Sequence, residues 1–98
     1  MLALYVDYNV RERLPAAGQA VAIKIGGMNP DALEKKLEHG SRVILYDEET
    51  RCEGVLRHGK WIEGWVAEII PGTVRDLPTG EFERLRTETK RAALRVAR

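Results

Sequence analysis

The stretch Arg42-Val43-Ile44-Leu45-Tyr46-Asp47, followed by Glu48-Glu49-Thr50 and then Arg51-Cys52-Glu53-Gly54-Val55-Leu56-Arg57, decides the fold. Val, Ile and Tyr suit the pleated surface of a sheet, and a short polar turn divides two such runs, so residues 42–57 read as a hairpin. His58-Gly59-Lys60 marks a second short turn, and residues 61–70 return as a longer strand ended by Pro71-Gly72. Gly54 and Gly64 fall inside strands, where glycine marks a bulge or a sharp bend. Residues 42–70 are therefore expected to form a three-stranded meander that curls strongly.

Upstream, residues 2–8 set Leu2, Leu4 and Val6 against Ala3, Tyr5 and Asp7, the two-residue period of a half-buried strand. Val21, Ile23 and Ile25 repeat that period over 20–25, and the segment 9–19 between them, with Pro15 and Gly18, reads as a hairpin loop. The two strands are expected to pair antiparallel. Residues 30–39 then read as a short helix. Asn29 is placed to cap it, Pro30 opens it, Asp31 and Glu34 meet its positive end, and Gly40 closes it.

Downstream, residues 73–77 read as a final short strand or a single 3₁₀ turn, and Pro78-Thr79-Gly80 separates a small β-rich domain, 1–80, from a tail, 81–98. The tail has neither Gly nor Pro and is expected to be helical. At about 100° per residue, Phe82, Leu85, Thr89, Ala92, Ala93 and Val96 share one arc, and Arg84, Arg91, Arg95 and Arg98 fall opposite it. The expected core is Leu4, Val6, Val21, Ile23, Leu33, Leu37, Val43, Leu45, Val55, Trp65 and Ile69.

Opened by Gly40 and bent at Gly54 and Gly64, the meander at 42–70 resembles the core of an SH3-like small barrel. The resemblance covers under a third of the chain and concerns architecture alone. The expected fold class is α+β, mainly β: a small, strongly curved antiparallel sheet or SH3-like barrel, with a short helix inserted after strand two and a C-terminal helix.

Composition bounds the function. The chain has 98 residues, 44% hydrophobic and 32% charged, enough for one domain and one core. Its single cysteine excludes an intramolecular disulfide, and its apolar runs are too short for a membrane-spanning helix. Met1 to Asp7 has no basic segment and no cleavage site, so it reads as a strand rather than a secretion signal, and a cytoplasmic location is expected.

Charge is unevenly spread. Residues 84–98 carry Arg84, Arg86, Lys90, Arg91, Arg95 and Arg98 against Glu88 alone, a net +5, which leaves the rest of the chain at −4. Such asymmetry points the tail toward something anionic. A membrane surface fits poorly, because the apolar arc is rich in alanine.

Candidate chemistry is sparse. His39, Cys52 and His58 have no metal-ligand spacing, and no metal or other cofactor is expected. Cys52 and His58 lie on one predicted strand, about 20 Å apart at strand rise, too far for a nucleophile and its base. Asp47, Glu48 and Glu49 read as solvated turn residues, and Gly26-Gly27 lacks the Lys-Ser/Thr of a phosphate loop. Trp61 and Trp65 are expected to share a strand face, with Tyr46 and Tyr5 as candidates to join it. Core filling is the commoner use of such residues, and a partly exposed stacking platform is the functional one.

The sequence thus predicts a non-catalytic binding module that contacts nucleic acid through Arg84, Arg86, Lys90, Arg91, Arg95 and Arg98, with Trp61 and Trp65 as an aromatic surface. The alternative is a protein–protein adaptor or a small regulatory, antitoxin-like subunit, with a protein partner or a second copy in place of nucleic acid.

Overall fold

The computed structural model describes residues 1–8, 11–14, 20–26, 29, 31–59 and 62–94, and within these the side chains other than those of 11–14, 20–21, 31–32, 59 and 62–63. The strands are β1 (Ala3–Tyr5), β2 (Arg11–Leu14), β3 (Ala20–Ile25), β4 (Arg42–Tyr46), β5 (Thr50–Gly59), β6 (Ile62–Ile69) and β7 (Arg75–Asp76). A 3₁₀ helix, Asp31–Lys36, follows β3, and one α-helix, α1 (Glu81–Leu94), ends the described chain. The described strands form one sheet in the order β1-β4-β5-β6-β3-β2, curled into a half-barrel, with β7 on β5. The fold is α+β and mainly β.

The meander is where the sequence put it. β4 pairs antiparallel with β5, and β5 with β6. Beyond the Pro71-Gly72 turn, the chain rejoins β5 as β7, with Arg51 opposite Arg75. The bulge expected at Gly54 is absent: it sits in register between Val43 and Ile69, and the irregularity falls at Arg57/Gly59. Gly54 answers a different need. A Cβ there would stand 2.9 Å from Leu45 Cδ1 and 3.1 Å from the Glu68 carbonyl oxygen, so the strands approach where only hydrogen fits. Gly64, at φ 70°, does supply a bend.

The N-terminal half departs from expectation. β1 does not pair with β3; it runs parallel to β4, Ala3 opposite Ile44 and Tyr5 opposite Tyr46. Both edges of β3 are taken, by β2 and by β6, and β2 lies within the segment read as a loop. The helix expected over 30–39 is a six-residue 3₁₀ turn. Its intended cap is committed elsewhere: Asn29 Oδ1 accepts the Tyr5 N–H at 2.8 Å, and Nδ2 donates to the Tyr5 carbonyl at 2.7 Å. Without that cap the turn closes through shorter loops, such as Leu37 N–H to Glu34 O at 3.4 Å.

The main core lies on one face of the curl. Leu4, Val6, Ile23, Val43, Leu45, Cys52, Leu56 and Ala67 meet there, closed by Leu33 and Leu37. Trp65 and Ile69 pack on it half-buried. Val55 is a correction: it is half-buried on the other face, opposite Arg42 and Glu68, while Cys52, Gly54 and Leu56 point inward. Val21 lies outside the described side chains. A second cluster, Ala3, Tyr46 and Leu85, joins the other face of β1 and β4 to α1. Among the described residues no helix is long and apolar enough to cross a membrane.

Candidate functional site

α1 is fixed to the sheet by one apolar and one polar residue. Leu85 is buried beside Tyr46 and Ala3. Thr89, one turn later, is 3% exposed, and its Oγ1 lies 2.8 Å from the Ala3 carbonyl and 3.0 Å from the Leu85 carbonyl. The threonine proton goes to those carbonyls, so the Tyr46 hydroxyl, 2.7 Å away, donates to Thr89. The Lys36 ammonium also donates to the Ala92 carbonyl, tying the 3₁₀ turn to the helix.

This docking sorts the six cations named from sequence. Arg84 pairs with Glu81 at 3.2 Å and Arg86 with Glu83 at 3.7 Å, while Glu81 also accepts from Arg51. Over its described length α1 carries four basic and three acidic side chains, so the local excess is small. Lys90 and Arg91 are exposed, with no ion pair among the described residues. Arg95 and Arg98 lie outside the described residues. Arg86 and Lys90 line one side of the helix; Arg91 lies on the other, beside Glu88 at a smaller cleft of about 420 Å³.

The larger cleft, about 620 Å³, opens between α1 and the paired ends of β1 and β4. Its floor is aromatic. Tyr5 and Tyr46 meet edge to face with ring centres 5.7 Å apart, and Phe82 meets them at 6.1 and 5.9 Å. Arg86 and Lys90 form the helix wall, and Glu48 stands in the wall from the β4–β5 turn. Tyr5 donates its phenol proton to Glu48 Oε1. That bond, aided by burial and the nearby carboxylates, pushes the Tyr5 pKa up to about 12. Burial raises Tyr46 as well. Asp47 serves the turn itself, accepting the Glu49 and Thr50 N–H groups at 2.8 and 2.7 Å.

Trp61 lies outside the described residues. Trp65 is half-buried, packed on the core on one side and stacked on His58 at 4.4 Å and 18° on the other. The His58 N–H donates to His39 Nδ1 at 3.0 Å. Cys52 is fully buried, 3.5 Å from the Tyr8 hydroxyl. Among the described residues no three His, Cys, Asp or Glu side chains gather where a metal ion would sit.

The cleft therefore joins Arg86 and Lys90, foreseen as contact residues, to Phe82 and Glu48, which were not, and to Tyr5 and Tyr46. Those two tyrosines were expected on the tryptophan face and instead pack with Phe82 against α1, away from the core cluster that holds Trp65. One signal was available: Phe82, Arg86 and Lys90 are spaced by four, which places them in one stripe along a helix. Comparison of the chain with protein-family models, with characterised proteins and with solved structures finds no match.

Proposed function

We propose that the chain is a non-catalytic binding module of the cytoplasm that engages nucleic acid through the Arg86–Lys90 flank of α1, its curled sheet serving as an SH3-like barrel does, as a rigid platform. One observation carries this: two exposed cations, one helical turn apart, stand over an aromatic floor on a helix locked to the sheet. Phosphate neutralisation and base stacking are the two main terms of sequence-tolerant nucleic-acid binding, and this cleft offers both. Lys90, free of an acidic partner among the described residues, is the stronger contributor; Arg86 shares its charge with Glu83. A hydrolytic reading has less support, because among the described residues Glu48 is the single carboxylate lining the cleft.

Fluorescence anisotropy of labelled single-stranded RNA and DNA tests the proposal. Two neutralised phosphates give a log K against log salt slope of about −1.4, at about −0.7 each for single strands, and Arg91, Arg95 and Arg98 steepen it where they take part. Lys90→Glu combined with Arg86→Glu is expected to abolish binding at low salt. No binding by the wild type at low salt, or binding indifferent to those substitutions, ends the proposal and leaves the adaptor or regulatory-subunit reading in its place.

A further inference from the structure

We infer that the cleft between α1 and the ends of β1 and β4 receives one unpaired base of a single strand, and that guanine is the base it prefers. The inference rests on the nucleic-acid reading above and adds to it what enters the site. At about 620 Å³ the cleft has the volume of a small-molecule site, and a concave site of that kind admits a splayed-out nucleotide but not a base held inside a duplex stack.

The floor is set before any ligand arrives. Tyr5 is held at its backbone by Asn29 and at its hydroxyl by Glu48. Tyr46 is held by Thr89. Phe82 lies edge to face against both rings, half-buried and lining the cleft. A floor fixed in this way spares the ordering cost of binding.

Charge then selects the occupant. Three aromatic rings beside a carboxylate also suggest a cage for an organic cation. Here the rings pack on one another at 5.7–6.1 Å, and two cations stand on the facing wall, so a positive ligand is repelled. The favoured ligand has an anionic end for Arg86 and Lys90, a flat apolar body for Phe82 and Tyr5, and hydrogen-bond donors for Glu48. A nucleotide supplies the first two.

The third requirement separates the bases. The Glu48 carboxylate offers acceptors, one of them already used by the Tyr5 hydroxyl. It keeps further lone pairs for the ligand. Guanine alone presents two adjacent donors, its ring N–H and its amino group, on the Watson–Crick edge. In adenine and cytosine the amino group adjoins an acceptor nitrogen, and in uracil and thymine the ring N–H lies between two carbonyls. Each of those edges sets an acceptor against the carboxylate.

The test is binding by anisotropy to short single strands, as RNA and as DNA, that differ at one position: guanine, inosine, adenine, cytosine or uracil (thymine in DNA). A duplex of the guanine strand is the further arm. Guanine is expected to bind about tenfold or more tighter than inosine, which lacks only the amino donor, and the single strand tighter than the duplex. Glu48→Gln is expected to collapse the guanine-to-inosine ratio. Phe82→Leu, which keeps apolar bulk, is expected to weaken every single strand about tenfold, with circular dichroism confirming the fold. Equal affinity for all bases, or for duplex and single strand, with the salt dependence intact, overturns this inference and spares the nucleic-acid reading. Absence of binding to any strand ends both.

Discussion

The hydroxyls of Tyr46 and Thr89 lie 2.7 Å apart in the interior, bridging 43 positions of sequence and joining the last residue of β4 to the middle of α1. Both side chains are almost wholly shielded, Tyr46 at 1% and Thr89 at 3% exposure. An unmet hydroxyl there has no water to turn to. The pair therefore sets the position of the helix against the sheet, and with it the distance of Arg86 and Lys90 from the aromatic floor.

Thr89→Val keeps the shape of the side chain and removes the oxygen. It strands the Tyr46 hydroxyl and is expected to cost about 1–3 kcal/mol. Tyr46→Phe leaves Thr89 its two carbonyl acceptors and is expected to cost about 1 kcal/mol. The double variant should lose less than the two costs added, because the second change removes a group already orphaned. Urea unfolding of the four proteins measures this. Additivity within about 0.5 kcal/mol would show that the hydroxyls do not act as a pair.

Leu56 and Val55 report on the face of β5. Leu56 is buried opposite Ala67, whereas Val55 lies between Arg42 and Glu68 on the other face. Leu56→Ala is expected to cost about 2–5 kcal/mol, with Val55→Ala well below it. A larger loss at Val55 would mean that the strand is inverted.

This pair also shows where the sequence stops being readable. In β4 the alternation is plain: Val43 and Leu45 point into the core and Arg42 points out. In β5 it is hidden, because the inward residues are Cys52, Gly54 and Leu56, two of them small. Gly54 looked like a bend when it is a close approach, a distinction held by Leu45 and Glu68 rather than by its neighbours in sequence. The same holds for the site. Arg86 and Lys90 could be named from helical spacing and charge. Tyr5 reaches Tyr46 only through the parallel pairing of β1 with β4, a long-range pairing for which the local two-residue period carries no signal. Glu48 looked like an ordinary turn acid until Tyr5 stood beside it.

Asn29 stands in for a strand. Its amide meets both backbone groups of Tyr5, as a neighbouring residue of a sheet would, and is 8% exposed. Asn29→Asp replaces the donor to the Tyr5 carbonyl with an anionic oxygen. At neutral pH it is expected to cost about 1–3 kcal/mol. Acidification returns a proton to that position and should recover part of the loss. Hydrogen exchange of the Tyr5 amide, alongside denaturant unfolding from neutral to acidic pH, tests both statements. A cost that does not shrink as pH falls removes the strand-like role of the amide.

Tyr5 predicts an alkaline limit. Its folded pKa is raised from 10.0 to about 12, chiefly because Glu48 accepts its proton, and Tyr46 is raised chiefly by burial. Both phenols hold their protons more tightly folded than unfolded. Their contribution to stability is therefore complete below the unfolded value of 10.0 and falls away as pH climbs toward about 12, where the folded Tyr5 also ionises. Within that window unfolding releases protons, so the denaturant midpoint should drop steadily with pH. Tyr5→Phe removes one titrating group and should flatten the drop without erasing it, since Tyr46 remains. Midpoints measured at intervals across the window, with phenolate absorbance followed in parallel, decide the matter. Equal slopes for Tyr5→Phe and the wild type would remove Glu48 as the cause of the raised Tyr5 pKa.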